Sequence, residues 1–472
     1  MAEATIIRHA ARGRLPPWLF IVVGIAAAGA ALVAAGEPLA AAIIVAAPLA
    51  PFIAYGAWRG LLGDRHFAAI ISVVIIFVLC SNFRYRDYGE KSIDFQIALK
   101  LVALMAALAL SALSFRAIVR HLYLYGLAYW LAFYGFLVFS STYAMAPAHA
   151  AVSTMSLIAS FLFLCYLCVR FGPDHLVDVL VWSGLLMCTT SLVVYLAAPG
   201  FGRMWDWVGD DLVLTSRLQG IFGASNGAGS AAATLFFLTA AYYVRRPDAS
   251  RIIGYATLAT SLLCLVLSNN RMAIASLVAS GLVYYLVSGH FGRKLVLVLS
   301  VAVLAAVPLL LFPEEIFSML SRTGSAEEIT SGTGRTRIWA VVLELVPQAW
   351  LFGRGYASAQ HILPIHPDLF QAAAHAHNLY LEVLFCSGVI GLALLVWCIL
   401  TSLVLAVRVG AARELALFFF FLPYGLTEPI IGGTTYLALI IWQASVILLF
   451  HRARQVDLER TRAASAQQGL AT

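Results

Sequence analysis

The chain contains long runs of almost uniformly apolar residues, repeated from one end to the other. Many are about 17–25 residues long, the length at which an α-helix crosses a bilayer. They are apolar on all sides and do not alternate apolar with polar residues, which excludes a transmembrane β-barrel. Of the 472 residues, 62% are hydrophobic and only 11% are charged, against roughly 25% charged in soluble domains. The sequence therefore predicts an all-α polytopic membrane protein.

The apolar runs define fourteen candidate spans, at 17–35, 38–57, 67–81, 96–115, 122–142, 150–169, 175–198, 218–243, 252–268, 272–288, 295–312, 379–406, 414–427 and 435–450. The last two are short enough to form one hairpin, so we expect about 12–14 transmembrane helices. The predicted organisation is a transmembrane bundle at 1–312, a loop at 313–378, C-terminal transmembrane helices at 379–450 and a tail at 451–472.

Basic residues in short loops predict the orientation, because such loops favour the cytoplasmic side. With the N-terminus inside, alternate loops place 19 of the 30 lysines and arginines on the inner side. Both termini are then cytoplasmic, and the net charge of +7 reflects inner loops instead of a nucleic-acid site. No cleavage motif follows Arg8, Arg12 and Arg14, so we interpret the first run as a retained signal-anchor.

The 313–378 loop falls on the outer side and has a pattern of its own. Apolar residues recur at helical spacing over 336–350, which predicts an amphipathic helix there. Long loops that carry their own secondary structure are usually functional.

Four residues in separate stretches fall on the outer side in the same count: Arg217, Arg271, Arg335 and His377. We expect Arg217 to open the eighth span. A lone arginine at a helix end is usually an anchor whose charge reaches the headgroups, but anchors favour the inner side. An arginine at mid-bilayer costs roughly 2.5–3.5 kcal/mol, so clusters of them mark function. The four residues together therefore predict a functional site on the outer side.

The residue types indicate what that site does. A guanidinium stays charged and grips phosphate oxygens in pairs, so three arginines can hold a diphosphate without a metal. Histidine titrates near neutral pH and suits a general base, the role we assign to His377. The predicted supporting residues are Asn226, Arg337, His375 and Asn378, the last as a helix cap.

A metal site is the alternative for this loop. His361, His366 and His375 lie close to His377, but they lack the i, i+4 spacing of a helical zinc site. The acidic residues of the loop are scattered. We therefore predict no metal and no cofactor.

Several motifs together resemble the O-antigen ligase and polysaccharide polymerase superfamily of bacterial membrane glycosyltransferases. They are Gly-Arg-Thr-Arg-Ile-Trp at 334–339, Phe-Gly-Arg-Gly-Tyr at 352–356, His-Asn-Leu-Tyr-Leu-Glu at 377–382 and Gly-Val-Ile-Gly-Leu at 388–392. The segments around Arg217 and Arg271 match in order and approximate spacing. The resemblance covers about residues 200–400, and the N-terminal spans only by hydropathy.

The resemblance implies a GT-C-like fold in the bacterial inner membrane, with a periplasmic active site. It implies a metal-independent, inverting transfer from an undecaprenyl-diphosphate-linked glycan. The arginines matching Arg217, Arg271 and Arg335 would hold the diphosphate, and His377 would activate the acceptor hydroxyl. The chain departs from the family in the Asn-Asn pair before Arg271, where Ser or Gly is frequent, and in a span count above the family's usual twelve or so.

The acceptor stays open at this point. A ligase of lipopolysaccharide biosynthesis would use the lipid A core, and an O-antigen or exopolysaccharide polymerase would use another lipid-linked repeat unit. A flippase and a chain-length regulator are the implied protein partners. The alternatives to an enzyme are a transporter or flippase of lipid-linked glycans and a non-catalytic scaffold. A transporter favours mid-span polar groups and internal repeats, and the sequence has few such groups and no strong repeat.

Overall fold

The computed structural model describes residues 64–83, 94–208, 211–288, 335–369, 373–433 and 435–471. The predicted spans at 17–35, 38–57 and 295–312 lie outside these residues, as does the first part of the predicted outer loop. The described residues are largely helical, with one two-stranded sheet. The all-α prediction is confirmed.

The α-helices of the described residues are α1 (Arg65–Cys80), α2 (Phe95–Leu113), α3 (Phe115–His121), α4 (Leu124–Ser141), α5 (Pro147–Phe171), α6 (Pro173–Ala197), α7 (Pro199–Gly202), α8 (Ser225–Leu238), α9 (Arg251–Ser268), α10 (Arg271–Ser288), α11 (Arg335–Leu345), α12 (Ala359–Ile362), α13 (Leu379–Arg408), α14 (Ala412–Phe419), α15 (Phe421–Tyr424) and α16 (Leu437–Ala471). The strands are β1 (Arg203–Val208) and β2 (Asp211–Leu218). Within this part of the chain, eight helices are long and apolar enough to cross a membrane: α2, α4, α5, α6, α9, α10, α13 and α16. The chain is a multi-pass membrane protein.

The chain divides into two compact units. The first unit contains the described residues up to Leu124, Ser156–Leu277 and those from Thr435 onwards. The second unit contains Tyr125–Met155 and the described residues between Val278 and Thr434.

Helix α8 lies at the centre of the first unit, where it contacts α6, α9 and α16. Its sequence is rich in glycine, alanine and serine, and nearly all of it is buried. Small residues allow helices to approach closely in a membrane. Gly184 of α6 shows how close the approach is, because a Cβ there would lie 2.4 Å from the side chain of Leu235.

The start of α8 corrects one prediction. We expected Arg217 to open the span at 218–243, but Arg217 lies in β2 and the helix begins at Ser225. Gly220 (φ 53°) and Gly223 (φ 79°) adopt left-handed backbone conformations between strand and helix, which interrupts a helix that hydropathy alone would extend. Strand β2 pairs antiparallel with β1, with Arg203 opposite Leu218.

The second unit contains the amphipathic helix predicted in the outer loop. It forms as α11, followed by a 3₁₀ turn at Val346–Ala349. Val341 and Val342 are buried in a cluster that includes Ala376 and Phe385. This packing connects α11 to the segment that carries His377.

Helix α13 is interrupted at Gly388, whose φ of 67° is non-helical. The Phe-Gly-Arg-Gly-Tyr motif binds the interruption: the backbone N–H of Arg354 donates to Phe385 O (3.0 Å), and that of Gly355 donates to Cys386 O (2.8 Å). A Cβ at Gly353 would lie 2.5 Å from the nitrogen of Gly388. The motif therefore satisfies backbone groups that the break in α13 releases.

The polar C-terminal residues continue the last helix. Helix α16 extends from its apolar part through the predicted tail to Ala471. The tail is rich in alanine, arginine and glutamine, which have high helix propensity. Residues 459–467 of the helix are exposed.

Candidate functional site

The predicted site residues fall into both units. Arg217 and Arg271 belong to the first unit, and Arg335 and His377 belong to the second. Each pair has its own surroundings and is described within its unit. A common face for all four residues stays a prediction.

Arg217 is 8% exposed although it is charged. Its Nη2 donates to Asn226 Oδ1 (3.2 Å) and its Nε donates to Ser268 O (3.4 Å). These two acceptors are neutral oxygens at the start of α8 and the end of α9. Both bonds orient the guanidinium. Asn226, predicted as a supporting residue, does contact Arg217.

Arg271 is the first residue of α10, and the two asparagines before it shape its position. Asn269 ends α9 in the left-handed conformation (φ 49°). Asn270 Oδ1 accepts from the backbone N–H of Ala273 (3.1 Å), and its Nδ2 donates to Asn226 O (3.0 Å). Arg217, Asn226, Ser268 and Asn270 form a set that we call the Arg217 cluster. The Asn-Asn pair, a departure from the family pattern, links Arg271 to this cluster.

A glycine makes room for that link. A Cβ at Gly229 of α8 would lie 2.4 Å from the Cβ of Asn270. This distance is shorter than carbon atoms can approach without displacement. Gly229 therefore allows Asn270 to reach the backbone of Asn226.

Arg335 is the first residue of α11 and pairs with a carboxylate. Its Nη2 donates to Glu428 Oε1 at 2.6 Å, and the two side chains are 18% and 12% exposed. A short bond between ionised groups is among the stronger hydrogen bonds in proteins. The guanidinium of Arg335 is therefore held by an opposite charge.

His377 lies in a backbone conformation that is unusual for a residue with a side chain, with φ at 47°. Such a conformation costs on the order of 1–3 kcal/mol and persists because the neighbouring residues are held. Trp339 Nε1 donates to Ala376 O (2.9 Å), and the N–H of Ala376 donates to Glu382 Oε2 (2.7 Å). Asn378 caps α13 by accepting from Tyr380 N at 2.9 Å and from Leu381 N at 3.1 Å. The predicted cap at Asn378 is confirmed.

Glu428 lies between the arginine and the histidine. Its second oxygen, Oε2, is 3.4 Å from His377 Nδ1. The ring nitrogen is buried and makes no aligned hydrogen bond within the described part of the chain, so this contact is an ion-pair approach and not a completed bond. Arg335, His377 and Glu428 form the Arg335 cluster.

The charges around Glu428 control its protonation. Burial by itself raises the pKa of the Glu428 carboxyl. The adjacent His377 ring and the charges of Arg335 and His375 outweigh burial, so the pKa lies below its ordinary value of 4.5. The carboxylate is therefore ionised at neutral pH.

His375 faces a different carboxylate. Its Nδ1 lies 3.4 Å from Glu382 Oε1, and Glu382 is 2% exposed. His375 and Glu382 thus support the backbone that carries His377. The remaining predicted supporting residue, Arg337, occupies an exposed position of α11. Its role stays a prediction, as does the absence of a metal.

Glu428 and Glu382 were given no role by the sequence patterns. A signal for Glu428 exists, because no other acidic residue lies between Glu414 and Asp457 in a very apolar stretch. An isolated charge in such a stretch is costly and marks function. Glu382 falls inside a recognised motif, but spacing alone does not indicate which groups its carboxylate binds.

The resemblance to a known family is confirmed by comparison. Residues 256–396 match the family model described as O-antigen ligase. The matched range contains Arg271, Arg335 and His377, whereas Arg217 and Glu428 lie outside it. No curated protein matches the chain. The match supports a membrane glycosyltransferase of the O-antigen ligase and polymerase type at the level of the family, with lipid-linked glycans as the class of substrate.

Proposed function

We propose that the protein is a metal-independent, inverting glycan transferase whose donor is an undecaprenyl-diphosphate-linked oligo- or polysaccharide. The bacterial inner membrane is its proposed location, with the site on the periplasmic face. The observation that carries the proposal is the Arg335 cluster. It combines a guanidinium, a carboxylate and an imidazole, with 2.6 Å from arginine to carboxylate and 3.4 Å from carboxylate to imidazole.

His377 is the proposed general base. Because its Nδ1 faces Glu428, its Nε2 is the nitrogen left for an acceptor hydroxyl. A carboxylate at Nδ1 favours the tautomer with a proton there and stabilises the imidazolium that forms. Glu428 acts through the imidazole and is a positioning residue.

The reaction then balances as a single displacement. The acceptor oxygen attacks the anomeric carbon from the side opposite the diphosphate and forms the new glycosidic bond. Its proton passes to Nε2 of His377. The bond from the anomeric carbon to the diphosphate oxygen breaks, undecaprenyl diphosphate leaves, and the anomeric configuration inverts.

Arginines supply the charge that the leaving group needs. Negative charge grows on the diphosphate as the bond breaks, and oriented donors stabilise it without reorganising. Arg335 is the proposed ligand in the second unit, and Arg217 and Arg271 are the proposed ligands in the first. The acceptor is either the lipid A core or another lipid-linked repeat unit. A flippase is the expected partner that delivers the lipid-linked glycan to the outer face. A chain-length regulator is the expected partner of the polymerase reaction.

The test is turnover by purified protein with a defined undecaprenyl-diphosphate-linked glycan in the presence of a chelator. Each of the two acceptors is supplied in a separate reaction. We expect a product of inverted configuration and release of undecaprenyl diphosphate. His377→Ala should slow the reaction by about 10²–10⁴-fold, the usual contribution of a general base, whereas His366→Ala should not.

Two results contradict the proposal. One is normal product formation by correctly inserted His377→Ala protein. The other is movement of the lipid-linked glycan across liposomes without any glycosidic product, which would establish a transporter.

A further inference from the structure

Two partly buried groups in the Arg335 cluster compete for one carboxylate. Glu428 Oε1 accepts a 2.6 Å bond from Arg335, while Oε2 lies 3.4 Å from His377 Nδ1. The histidine nitrogen is buried and lacks an aligned acceptor among the residues described. In this structure the carboxylate is therefore bound to the arginine and only near the base.

Binding of the donor would change how Glu428 is shared between Arg335 and His377. A guanidinium grips a phosphate through two parallel N–H bonds, and Nη2 of Arg335, which such a grip would use, is occupied by Glu428. A diphosphate carries more negative charge than one carboxylate, so it competes well for that nitrogen. Displacement would leave a buried carboxylate without its cation, which is strongly unfavourable.

His377 already lies beside the carboxylate that would be displaced. Closing the separation from 3.4 Å to an ordinary hydrogen-bond length requires a shift of only about 0.6 Å. The movement would satisfy the buried Nδ1 and the carboxylate together.

We propose that Glu428 is exchanged between Arg335 and His377, and that the donor's diphosphate drives the exchange. Before the donor binds, Glu428 compensates the charge of Arg335 and His377 has no oriented partner. After binding, Glu428 accepts from His377 Nδ1 and prepares Nε2 to take a proton. Donor binding thus activates the base, so the acceptor hydroxyl is activated only when a leaving group is present. This inference rests on the proposed function and adds an order of events to it.

The charge state of Glu428 is compatible with the exchange. The pKa of its carboxyl lies below the ordinary value, despite burial, because of His377, Arg335 and His375. The group is therefore already an anion before the exchange, so no proton has to leave it.

The alternative is a permanent structural pair between Arg335 and Glu428. The two models differ in the effect of Glu428→Gln on phosphate binding. If Glu428 competes with the diphosphate, its neutralisation frees Arg335 and tightens binding. If the pair only holds the fold, the same change disorders Arg335 and weakens binding.

The experiment measures calorimetric binding of inorganic pyrophosphate and, separately, glycan transfer. In Glu428→Gln we expect pyrophosphate to bind about tenfold more tightly, since a charge-assisted competitor is lost. We expect transfer to fall by about 10²-fold, since the base loses its anionic partner. Glu344→Gln, an exposed carboxylate on α11, is the matched control and should change neither quantity. The exchange is overturned if Glu428→Gln binds pyrophosphate no more tightly than wild type does. It is also overturned if pyrophosphate binds neither wild type nor Glu428→Gln.

A second measurement covers the case in which Glu428→Gln does not fold. In ¹⁵N-histidine-labelled protein, saturating pyrophosphate should produce a strongly deshielded Nδ1–H signal that is absent from His377→Ala. A spectrum that pyrophosphate leaves unchanged overturns the exchange.

Neither the binding measurement nor the spectrum requires turnover. A protein that shows the exchange but forms no glycosidic bond would overturn the proposed function alone, and normal transfer without the exchange would overturn only the inference.

Discussion

The Arg217 cluster and the Arg335 cluster hold an arginine in different ways. Arg217 donates to an amide oxygen and a backbone carbonyl, whereas Arg335 donates to a carboxylate. Neutral oxygens orient a guanidinium and leave its charge available, while a carboxylate compensates that charge until an anion displaces it. A diphosphate that binds Arg335 would have to displace Glu428 from it. We therefore expect the Arg335 cluster to couple binding to chemistry, and the Arg217 cluster to contribute mainly to affinity.

Loss of the His377 side chain should have the strongest effect, and it should lower the rate of catalysis more than donor binding. His377→Ala should lower kcat by about 10²–10⁴-fold and leave the donor KM nearly unchanged, because the base contributes mainly after the donor binds. Asn226→Ala in the Arg217 cluster should raise the donor KM and change kcat little. Steady-state kinetics with varied donor would measure both. A fall in kcat of similar size in both variants would end the distinction between the clusters.

Lysine substitutions sharpen the comparison further. Arg217→Lys loses the geometry that joins Asn226 to Ser268, and it should raise the donor KM by about tenfold or more through loss of a charge-assisted bond. Arg335→Lys keeps a cation beside Glu428 but loses the paired grip on phosphate, so we expect both a higher KM and a lower kcat. Arg251→Lys, exposed at the start of α9, is the control. Wild-type kinetics in Arg335→Lys would argue against a bidentate phosphate contact.

The next effect is on stability and concerns the first unit. Gly229→Ala places a Cβ 2.4 Å from Asn270, and overpacking of this kind costs about 1–3 kcal/mol. Gly281→Ala in α10 meets no atom within 4 Å, and it should be neutral or stabilising by up to about 1 kcal/mol. Thermal unfolding in detergent would compare them. Equal melting temperatures would show that Asn270 moves freely and does not link Arg271 to the Arg217 cluster.

The smallest effect is a pH dependence that only the second unit should show. The folded pKa of Glu428 lies below its unfolded value, so its ionised form stabilises the protein above the unfolded pKa. This contribution is lost as the pH falls through the folded pKa. The stability difference between wild type and Glu428→Gln should therefore be present at neutral pH and shrink below about pH 4.3.

Asn226→Ala provides the contrast for this measurement. It removes a neutral acceptor, so its stability difference should stay constant over the same range of pH. Unfolding at several pH values would test both. A difference in Glu428→Gln that does not change with pH would mean that its ionisation is not coupled to folding.

Much of the helical framework was predictable, because hydrophobic length decides it. The predicted runs at 150–169 and 175–198 correspond to α5 and α6, and the periodicity at 336–350 corresponds to α11. The interruption at Gly388 was not predicted, since an apolar run does not indicate where its backbone departs from helical angles. The hairpin of β1 and β2 was missed for a related reason: hydropathy included its last residue, Leu218, in a span.

The candidate site was only partly predictable. Arginine and histidine next to recognisable motifs identified Arg217, Arg271, Arg335 and His377, and the resemblance assigned their chemistry. The carboxylate beside Arg335 and His377 was not found, because Glu428 lies far from both residues in the chain. Pairing at such a distance depends on how α13 and the segment after α15 fold back, which local patterns do not contain.

The chain alone was enough to establish an all-α membrane protein and to predict which residue types would carry its chemistry. Burial of apolar length and the permanent charge of arginine are local properties, so both can be recognised in the chain. The folded arrangement was needed to see that Arg217 donates to Asn226 and Ser268, that Arg335 pairs with a carboxylate, and that His377 has a strained backbone next to that same carboxylate. The physical reason is that electrostatic coupling depends on distances of a few ångströms between groups that are far apart in sequence.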